Sequence, residues 1–289
     1  MKITLINAKT DLGVTVDGAN LGPEILSNYF EDNNKIEQIV NIEKSNKDKS
    51  KSPNDLKKNL NEVNEFNKNL YNALINTKNS FPITLGGDHS LAIGSALGSI
   101  KKHKNLGIIW IDAHLDYNTF DTTITGNLHG LPLAAINGLN KDLSKFHKEN
   151  YYNPENTVVI GYRSEEENQE IELNNVKKMG VTVFSTEDIK NLGIKNVIDK
   201  AFHIATKDTT GVHISYDLDV IDPKLAPGVS VPEENGITEN EAYLIADAVL
   251  NHIDNIKSLD LVEYNPTNDI DDKTKTIALN ILNKIFKKV

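Results

Sequence analysis

The stretch LGIIWIDAHLD, residues 106–116, decides the fold. Its first six residues are apolar or glycine with no polar alternation, which is typical of a strand that is buried on both faces of a parallel sheet. The apolar run stops at Asp112, and further charged residues follow it closely. Because ligands of parallel α/β sheets bind beyond the carboxyl ends of the strands, these charged residues are the first candidates for a functional site.

The rest of the chain repeats one unit, a short apolar run followed by a segment with helical spacing. Such alternation indicates an α/β fold around a mostly parallel sheet with right-handed crossovers, and we expect residues 1–289 to form one domain. The other predicted strands are Lys2–Asn7, Ile36–Ile42, Pro82–Leu85, Val158–Gly161, Val181–Phe184, Val212–Tyr216 and Ser258–Val262. The clearest predicted helices are Gly22–Phe30, Asp55–Thr77, Leu91–His103 and Lys273–Lys287.

The composition excludes several classes of protein. None of the 289 residues is cysteine, which excludes disulfides and thiolate metal sites. The net charge of -10, from 41 acidic and 31 basic residues, argues against nucleic acid or an anionic membrane as a partner. No run approaches the roughly 20 apolar residues of a membrane span, and the first residues resemble a strand rather than a signal peptide. We therefore expect a cytoplasmic protein that acts on a small molecule.

Three predicted strands end in clusters of carboxylates and imidazoles. In an extended segment, residues two apart point the same way, so each cluster presents its side chains to one point. Two imidazoles and four carboxylates exceed the needs of one ion and suit two divalent cations, and an oxygen-rich set without thiolate favours Mn²⁺ over a structural zinc. One aspartate at a strand end is commonly a helix cap, but capping does not explain three such clusters. The candidate metal ligands are His89, Asp112, His114, Asp116, Asp217 and Asp219.

Three motifs carry a resemblance to a known family. Gly86–Ser90 (GGDHS), Asp112–Asp116 (DAHLD) and Ser215–Pro223 (SYDLDVIDP) resemble the metal-binding signatures of the ureohydrolases, which comprise arginases, agmatinases, guanidino-acid hydrolases and formimidoylglutamases. The similarity runs from Asp17 to Pro266. It implies a three-layer α/β/α sandwich, two Mn²⁺ per subunit, hydrolysis of a guanidinium or formimidoyl C–N bond, and a homotrimer or homohexamer.

The segment Asn118–Gly130 resembles the arginase branch of this family. The resemblance implies that Asn118, Thr125 and Asn127 contact the α-carboxylate of the substrate. It also implies that Glu166, where arginases typically carry an aspartate, receives the α-amino group. These residues favour hydrolysis of L-arginine to L-ornithine and urea.

The resemblance also implies the catalytic roles. Glu263 matches the family carboxylate that holds the guanidinium, a positioning effect. Asp116 would hydrogen-bond the nucleophilic water as well as hold metal. His129 is the candidate proton shuttle to the leaving amine, because an imidazole titrates near neutral pH.

One departure keeps other substrates open. Ser230 and Val231 stand where many arginases and agmatinases have glycine and threonine, and they look more like some formimidoylglutamases. The alternatives are therefore a formimidoylglutamase first, and an agmatinase or guanidino-acid hydrolase second. Two other classes of protein fit less well. A zinc deacetylase of related fold would normally use one metal and fewer carboxylates, and a subunit that has lost activity would have a broken ligand set, so the six intact positions argue against both.

Overall fold

A computed structural model describes residues 1–47, 55–163 and 169–289 of the chain. In these residues eight parallel strands form one sheet in the order β2-β1-β3-β8-β7-β4-β5-β6. The strands are β1 (Lys2–Lys9), β2 (Ile36–Glu43), β3 (Ser80–Gly86), β4 (Gly107–Ile111), β5 (Thr157–Tyr162), β6 (Thr182–Ser185), β7 (Val212–Asp217) and β8 (Ile256–Val262). All eight predicted strands are confirmed, and the sheet is more strictly parallel than the prediction required.

Helices cover both faces of the sheet, which confirms the three-layer α/β/α arrangement. They are α1 (Gly22–Asn28), α2 (Leu60–Asn76), α3 (Ala92–His103), α4 (Pro132–Ile136), α5 (Gln169–Met179), α6 (Thr186–Leu192), α7 (Ile194–Ala205), α8 (Glu239–Leu250) and α9 (Lys273–Lys288). Buried side chains of α1 and α6–α9 form one hydrophobic core, and those of α2–α5 form the other. Strand β4 contributes side chains to both cores, since Ile109 and Ile111 lie in the first core and Ile108 and Trp110 lie in the second. This explains why residues 106–111 form a continuous apolar run.

Helix α2 starts later than the sequence predicts. The expected helix began at Asp55, but the chain adopts a left-handed backbone at Asn59, with φ of 58°, and the helix begins at Leu60. Leu56, which helical spacing placed on the apolar face, is 37% exposed. The prediction was wrong here because asparagine tolerates the left-handed conformation that ends the preceding turn.

The strand order brings the polar strand ends together. Strands β3, β8, β7 and β4 are consecutive in the sheet, so the residues that follow them meet at one edge. The first and last strands of the chain belong to this one sheet, which supports the assignment of residues 1–289 to one domain, although that assignment stays a prediction. Among the described residues, no helix combines the length and the apolar character that crossing a bilayer requires.

Candidate metal centre

The floor of the site depends on a close approach between the ends of β1, β3 and β8. The amide of Gly87 donates to the carbonyl of Ala8, and the amide of Glu263 donates to the carbonyl of Gly87. A Cβ atom at Gly87 would lie 1.7 Å from the carbonyl oxygen of Thr10. Only glycine therefore lets the three strand ends approach this closely.

Asp88 is a structural residue: it accepts hydrogen bonds from the loops around the site instead of binding a metal. Its Oδ1 accepts the amide N–H of Ser90, and its Oδ2 accepts the amide N–H of Gly13 and the hydroxyl of Thr10. Gly13 in turn accepts the amide N–H of His129. Asp88 is fully buried and is satisfied by these donors, so it positions the segment that carries His129.

His89 faces three carboxylates with one ring nitrogen. Its Nδ1 lies 3.0 Å from Oδ2 of Asp112, 3.2 Å from Oδ2 of Asp116 and 3.0 Å from Oδ2 of Asp217. Among the described residues this buried Nδ1 makes no hydrogen bond, and neither does Oδ2 of Asp116. Four ligand atoms therefore converge on one point without satisfying one another.

The opposite side of the His89 ring is fixed by other side chains. Its Nε2 lies 2.8 Å from the hydroxyl of Ser215. The ring stacks on Trp110 with centroids 3.9 Å apart, and the indole N–H of Trp110 donates to Oδ2 of Asp112 at 2.8 Å. This packing holds the ring so that Nδ1 points at the carboxylates.

A second ligand group adjoins the first and shares Asp112 with it. Nδ1 of His114 lies 2.9 Å from Oδ2 of Asp219 and 3.5 Å from Oδ1 of Asp112. Asp112 thus turns one carboxylate oxygen to each histidine. The backbone reinforces the arrangement, because the amide of His114 donates to Asp112 and the amide of Asp219 donates to Asp217.

The donor set fits divalent cations. In each group, His89–Asp112–Asp217 and Asp112–His114–Asp219, the ligand atoms lie within 4.8 Å of one another. Neighbouring ligands of an octahedral ion with bonds of about 2.1 Å lie about 3 Å apart, as the His89 contacts do. All donors are oxygen or imidazole nitrogen, so the residues fit a hard or borderline divalent ion.

Without cations, burial and neighbouring charges shift the pKa values of several residues of this site. Burial and the charge of Asp112 raise the pKa of Asp116 to about 7. Burial and the charge of Asp219 raise the pKa of Asp217 well above its usual value. Burial would lower the pKa of His89 and of His114, but the neighbouring aspartates outweigh it and raise both. Bound cations would replace the protons that these raised pKa values favour.

Two residues of the site adopt a left-handed backbone that favours glycine. Asp116 has φ of 49° and Glu263 has φ of 66°. Such conformations cost about 1–3 kcal/mol each and persist only where the surrounding structure imposes them. With this backbone, the carboxylate of Asp116 lies 3.2 Å from His89 and that of Glu263 lies 3.0 Å from His129.

Glu263, which is buried, and His129, which is partly exposed, form a pair beside the ligand groups. Oε1 of Glu263 accepts the amide N–H of His89 at 2.8 Å and lies 3.0 Å from Nδ1 of His129. Its Oε2 is buried and has no hydrogen-bond partner among the described residues. Burial opposes a charge on His129, but the hydrogen bond to Glu263 outweighs it and raises the pKa of His129 to about 9.

These groups surround a small cavity of about 30 Å³, enough for a water molecule. Its lining includes His129, the substrate candidate Asn118 and Val231, which departs from the usual threonine. Thr125 and Asn127 are not among the lining residues in the described part of the chain; they lie in the preceding loop, where Thr125 accepts the amide N–H of Asn127 at 3.1 Å. Glu166 lies outside the described residues. The lining residues are His89, His114, Asp116, Asn118, His129, Gly130, Glu172, Asp217, Asp219 and Val231.

Two further acidic residues at the site were missed from the sequence. Glu172 on α5 is buried, lines the cavity and accepts the amide N–H of Tyr117 at 2.6 Å. Its spacing of four from the buried Val176 was the signal that could have found it. Glu233 carries its Oε1 to 3.5 Å from Nε2 of His114, and no local pattern marks that contact.

Comparison with known proteins agrees with this geometry. The model of the family described as "Arginase family" matches residues 1–287. The arginase of Bacillus subtilis (strain 168) is 36% identical over 99% of this chain and 98% of that protein. The structure of arginase from Bacillus caldovelox has a TM-score of 0.91 at 32% identity and covers 99% of this chain and 98% of that chain. The structure of Entamoeba histolytica arginase in complex with L-ornithine has a TM-score of 0.85 at 28% identity and covers 99% and 97%. The chain belongs to the arginase family and is a hydrolase that acts on amidines.

Proposed function

We propose that the chain is an arginase that hydrolyses L-arginine to L-ornithine and urea with two Mn²⁺ per subunit. One observation carries the proposal: two histidine–aspartate groups share Asp112 beside Glu263, whose buried Oε2 has no partner among the described residues. The curated relatives named arginase support the choice of substrate, because they match the chain over almost its whole length.

The two ions would be held by the two adjoining groups. His89, Asp217 and Asp116 would hold one, His114 and Asp219 the other, and Asp112 both. When bound, a pair of divalent cations supplies a water molecule with a lowered pKa, which makes a nucleophile available at neutral pH.

Glu263 would orient the guanidinium. Its Oε1 is already occupied by the amide of His89 and by His129, so Oε2 is left to accept an N–H of the substrate. Since Glu263 is buried and its backbone is held in a left-handed conformation, it would present that oxygen in one place. Orientation of this kind lowers the barrier by bringing the reacting atoms together in advance.

His129 would supply the proton that the departing amine needs. Despite burial, the hydrogen bond to Glu263 raises the pKa of His129 to about 9 in the metal-free chain, which favours a protonated imidazole at neutral pH. It lines the cavity and contacts Glu263, so it lies beside the position proposed for the guanidinium. General acid catalysis of this type contributes about 10²–10⁴-fold to a rate.

The amino-acid end of the substrate would meet residues of the cavity and its loop. Asn118 lines the cavity and is a neutral donor for the α-carboxylate, and Thr125 and Asn127 are proposed to extend this contact from the loop. Glu172 adds a buried carboxylate that suits the α-ammonium group, beside the role proposed for Glu166. Hydrolysis of formimidoylglutamate stays the second candidate, because Val231 lines the cavity where a threonine would supply a hydroxyl.

Substrate competition tests the proposal. We expect the Mn²⁺-loaded protein to release urea from L-arginine with a kcat/KM about 10²-fold above that for agmatine, which lacks the α-carboxylate. Asn127→Ala should narrow this gap mainly by lowering the value for arginine. Guanidinobutyrate and formimidoylglutamate complete the panel. A higher kcat/KM for agmatine, guanidinobutyrate or formimidoylglutamate would be compatible with an amidine hydrolase, but it would refute the proposal that the chain is an arginase.

We also infer that the protein works in the cytoplasm on a small molecule, with no nucleic-acid or membrane partner, as a homotrimer or homohexamer. The net charge of -10 supports the exclusion of polyanionic partners. Chains of 32.1 kDa would give assemblies of about 96 or about 193 kDa. Light scattering after gel filtration tests this, and a mass near one chain at micromolar concentration would contradict it.

A further inference from the structure

The two candidate metal-binding histidines differ in what holds their second ring nitrogen. His89 directs Nδ1 to carboxylates and Nε2 to the neutral hydroxyl of Ser215 at 2.8 Å. His114 directs Nδ1 to Asp219 at 2.9 Å, and its buried Nε2 makes no hydrogen bond among the described residues. The Oε1 atom of Glu233 lies 3.5 Å from that Nε2.

We propose that Glu233 is a positioning residue that accepts the Nε2–H of His114 and fixes this ring for metal binding, with Arg163 holding Glu233 in place. The inference rests on the proposed metal centre. A histidine that binds metal commonly donates its other N–H to a carboxylate or carbonyl, which fixes the tautomer and makes the ligand nitrogen more basic. With the proton on Nε2, the lone pair of Nδ1 points at Asp219 and Asp112.

Glu233 is placed to act in this way rather than as a solvated surface charge. Its side chain is 17% exposed and that of His114 is 14% exposed, so water screens the pair only in part. A shift of about 0.5 Å brings Oε1 to ordinary hydrogen-bond distance from Nε2. The neighbouring Glu234 is exposed, which makes it a matched reference with the same charge in the same segment.

Arg163, the only arginine of the chain, ties the backbone of Glu233 to the metal-binding loops. Its Nη2 donates to the carbonyl of Glu233 at 3.0 Å and to that of Asp219 at 2.7 Å. Its Nε donates to the carbonyl of Glu234 at 3.0 Å, and its own amide donates to Ala113, the residue before His114. The planar guanidinium makes the contacts to the carbonyls of Glu233, Asp219 and Glu234 simultaneously, which a lysine ammonium cannot do in the same geometry.

A Mn²⁺ titration of the full chain tests the proposal. Trp110, the only tryptophan, stacks on His89 and donates to the Asp112 oxygen that faces His89, so we expect its fluorescence to respond most to the ion at His89. Equilibrium dialysis counts both ions. We expect Glu233→Ala to weaken one of the two Mn²⁺ by about 10–100-fold while the ion reported by Trp110 changes less than about twofold. Glu233→Gln, which keeps an acceptor, should lose less, and Glu234→Gln should stay within about twofold of wild type.

Activity gives a second readout that a purely structural role would not produce. At saturating Mn²⁺, the KM of Glu233→Ala for L-arginine should equal that of wild type, and kcat should recover toward it. Arg163→Lys should weaken the same ion, and the double variant should lose less than the product of the two single losses, because both residues act on one ring.

Three results would overturn the inference. They are unchanged affinity for both ions in Glu233→Ala, an equal loss in Glu234→Gln, and an equal loss of both ions together with a lower melting temperature of the metal-free chain. If the wild-type chain bound two Mn²⁺ and hydrolysed arginine while Glu233→Ala did the same at equal Mn²⁺ concentration, only this inference would fail. If the wild type bound no pair of ions, the proposed function would fail and this inference with it.

Discussion

Asp112 is the residue on which both ligand groups depend, since it turns one oxygen to His89 and the other to His114. The flanking ligands differ in that each serves one group. We predict that His114→Asn and Asp217→Asn each lower kcat/KM by more than about 10²-fold, because loss of one ligand weakens an ion and leaves buried carboxylates under-compensated. Metal content and urea release measure this. Wild-type rates at saturating Mn²⁺ would show that these residues are not ligands. The control is His252→Asn, because the ring of His252 contacts Phe202 and Asp199 and belongs to neither ligand group.

His129 differs from the candidate ligands in that it belongs to neither ligand group and its Nδ1 lies 3.0 Å from Oε1 of Glu263. We predict that His129→Asn lowers kcat by about 10²–10⁴-fold while two Mn²⁺ still bind. Despite burial, the hydrogen bond to Glu263 raises the pKa of His129, so the proton donor should stay charged through neutral pH and kcat should fall only on the alkaline side of its pH profile. The profile of His129→Asn should lack that alkaline fall, and loss of metal in this variant would instead make His129 a ligand.

At the scale of elements, the close approach of β1, β3 and β8 sets the floor of the site. We predict that Gly87→Ala destabilises the chain by about 3 kcal/mol, near the upper end of overpacking, because the new Cβ meets the Thr10 carbonyl and not a movable side chain. Gly180→Ala is the comparison, since that left-handed glycine has its nearest neighbour at 3.4 Å and should cost only about 1 kcal/mol. Chemical denaturation measures both, and equal costs would mean that the contact with Thr10 does not matter.

Some of these elements could be predicted from the sequence. The end of β4 was identifiable because a buried parallel strand is a continuous apolar run and Asp112 stops it. Strands β3 and β7 also lead into aspartates, although His213 and Ser215 interrupt the apolar pattern of β7. Period-two spacing in an extended segment was the reason to expect the charged residues after β4 and β7 to point the same way. In the structure a 3-10 turn at Leu218–Val220 and a left-handed backbone at Asp116 place these side chains instead. Helix α2 was predicted five residues too early, because one left-handed asparagine outweighed the helical pattern.

The contacts that tertiary structure creates were not predictable in this way. Glu233 reaches His114 from a loop 119 positions along the chain, and Glu172 reaches Tyr117 from 55 positions away. Glu172 carries only its spacing of four from the buried Val176 as a local signal, and no local pattern marks Glu233. The strained backbone at Asp116 and Glu263 was equally hidden, since it is imposed by packing and not by residue type.

At the scale of the whole molecule, the crowded centre makes stability depend on pH and on metal. In the metal-free chain the pKa values of Asp116, His129, His89 and His114 are all raised in the folded state. A group whose pKa is higher in the folded chain than in the unfolded chain stabilises the fold at pH values below its unfolded pKa. This stabilisation is lost as the pH rises through the folded pKa of the group. We predict that the free energy of unfolding of the chelator-treated protein falls between pH 6.5 and 9. Urea denaturation measures it, and a rise over this range would contradict the assigned pKa values.

Those protons also connect folding to metal binding. Because the folded, metal-free chain holds protons that the cations must displace, Mn²⁺ binding at pH 7 should release at least one proton per chain. Calorimetry in two buffers of different ionisation enthalpy measures the release. Binding enthalpies that are independent of the buffer would show that the ligands are already deprotonated.

We propose a hydrolysis of L-arginine that depends on two ions in one centre. Its most direct test is a Mn²⁺ titration of the metal-free chain in which bound metal and urea release from L-arginine are measured in the same samples. The account predicts that activity rises until two Mn²⁺ are bound per chain and is no greater beyond that ratio. Full activity at a reproducible ratio of one ion per chain would contradict it.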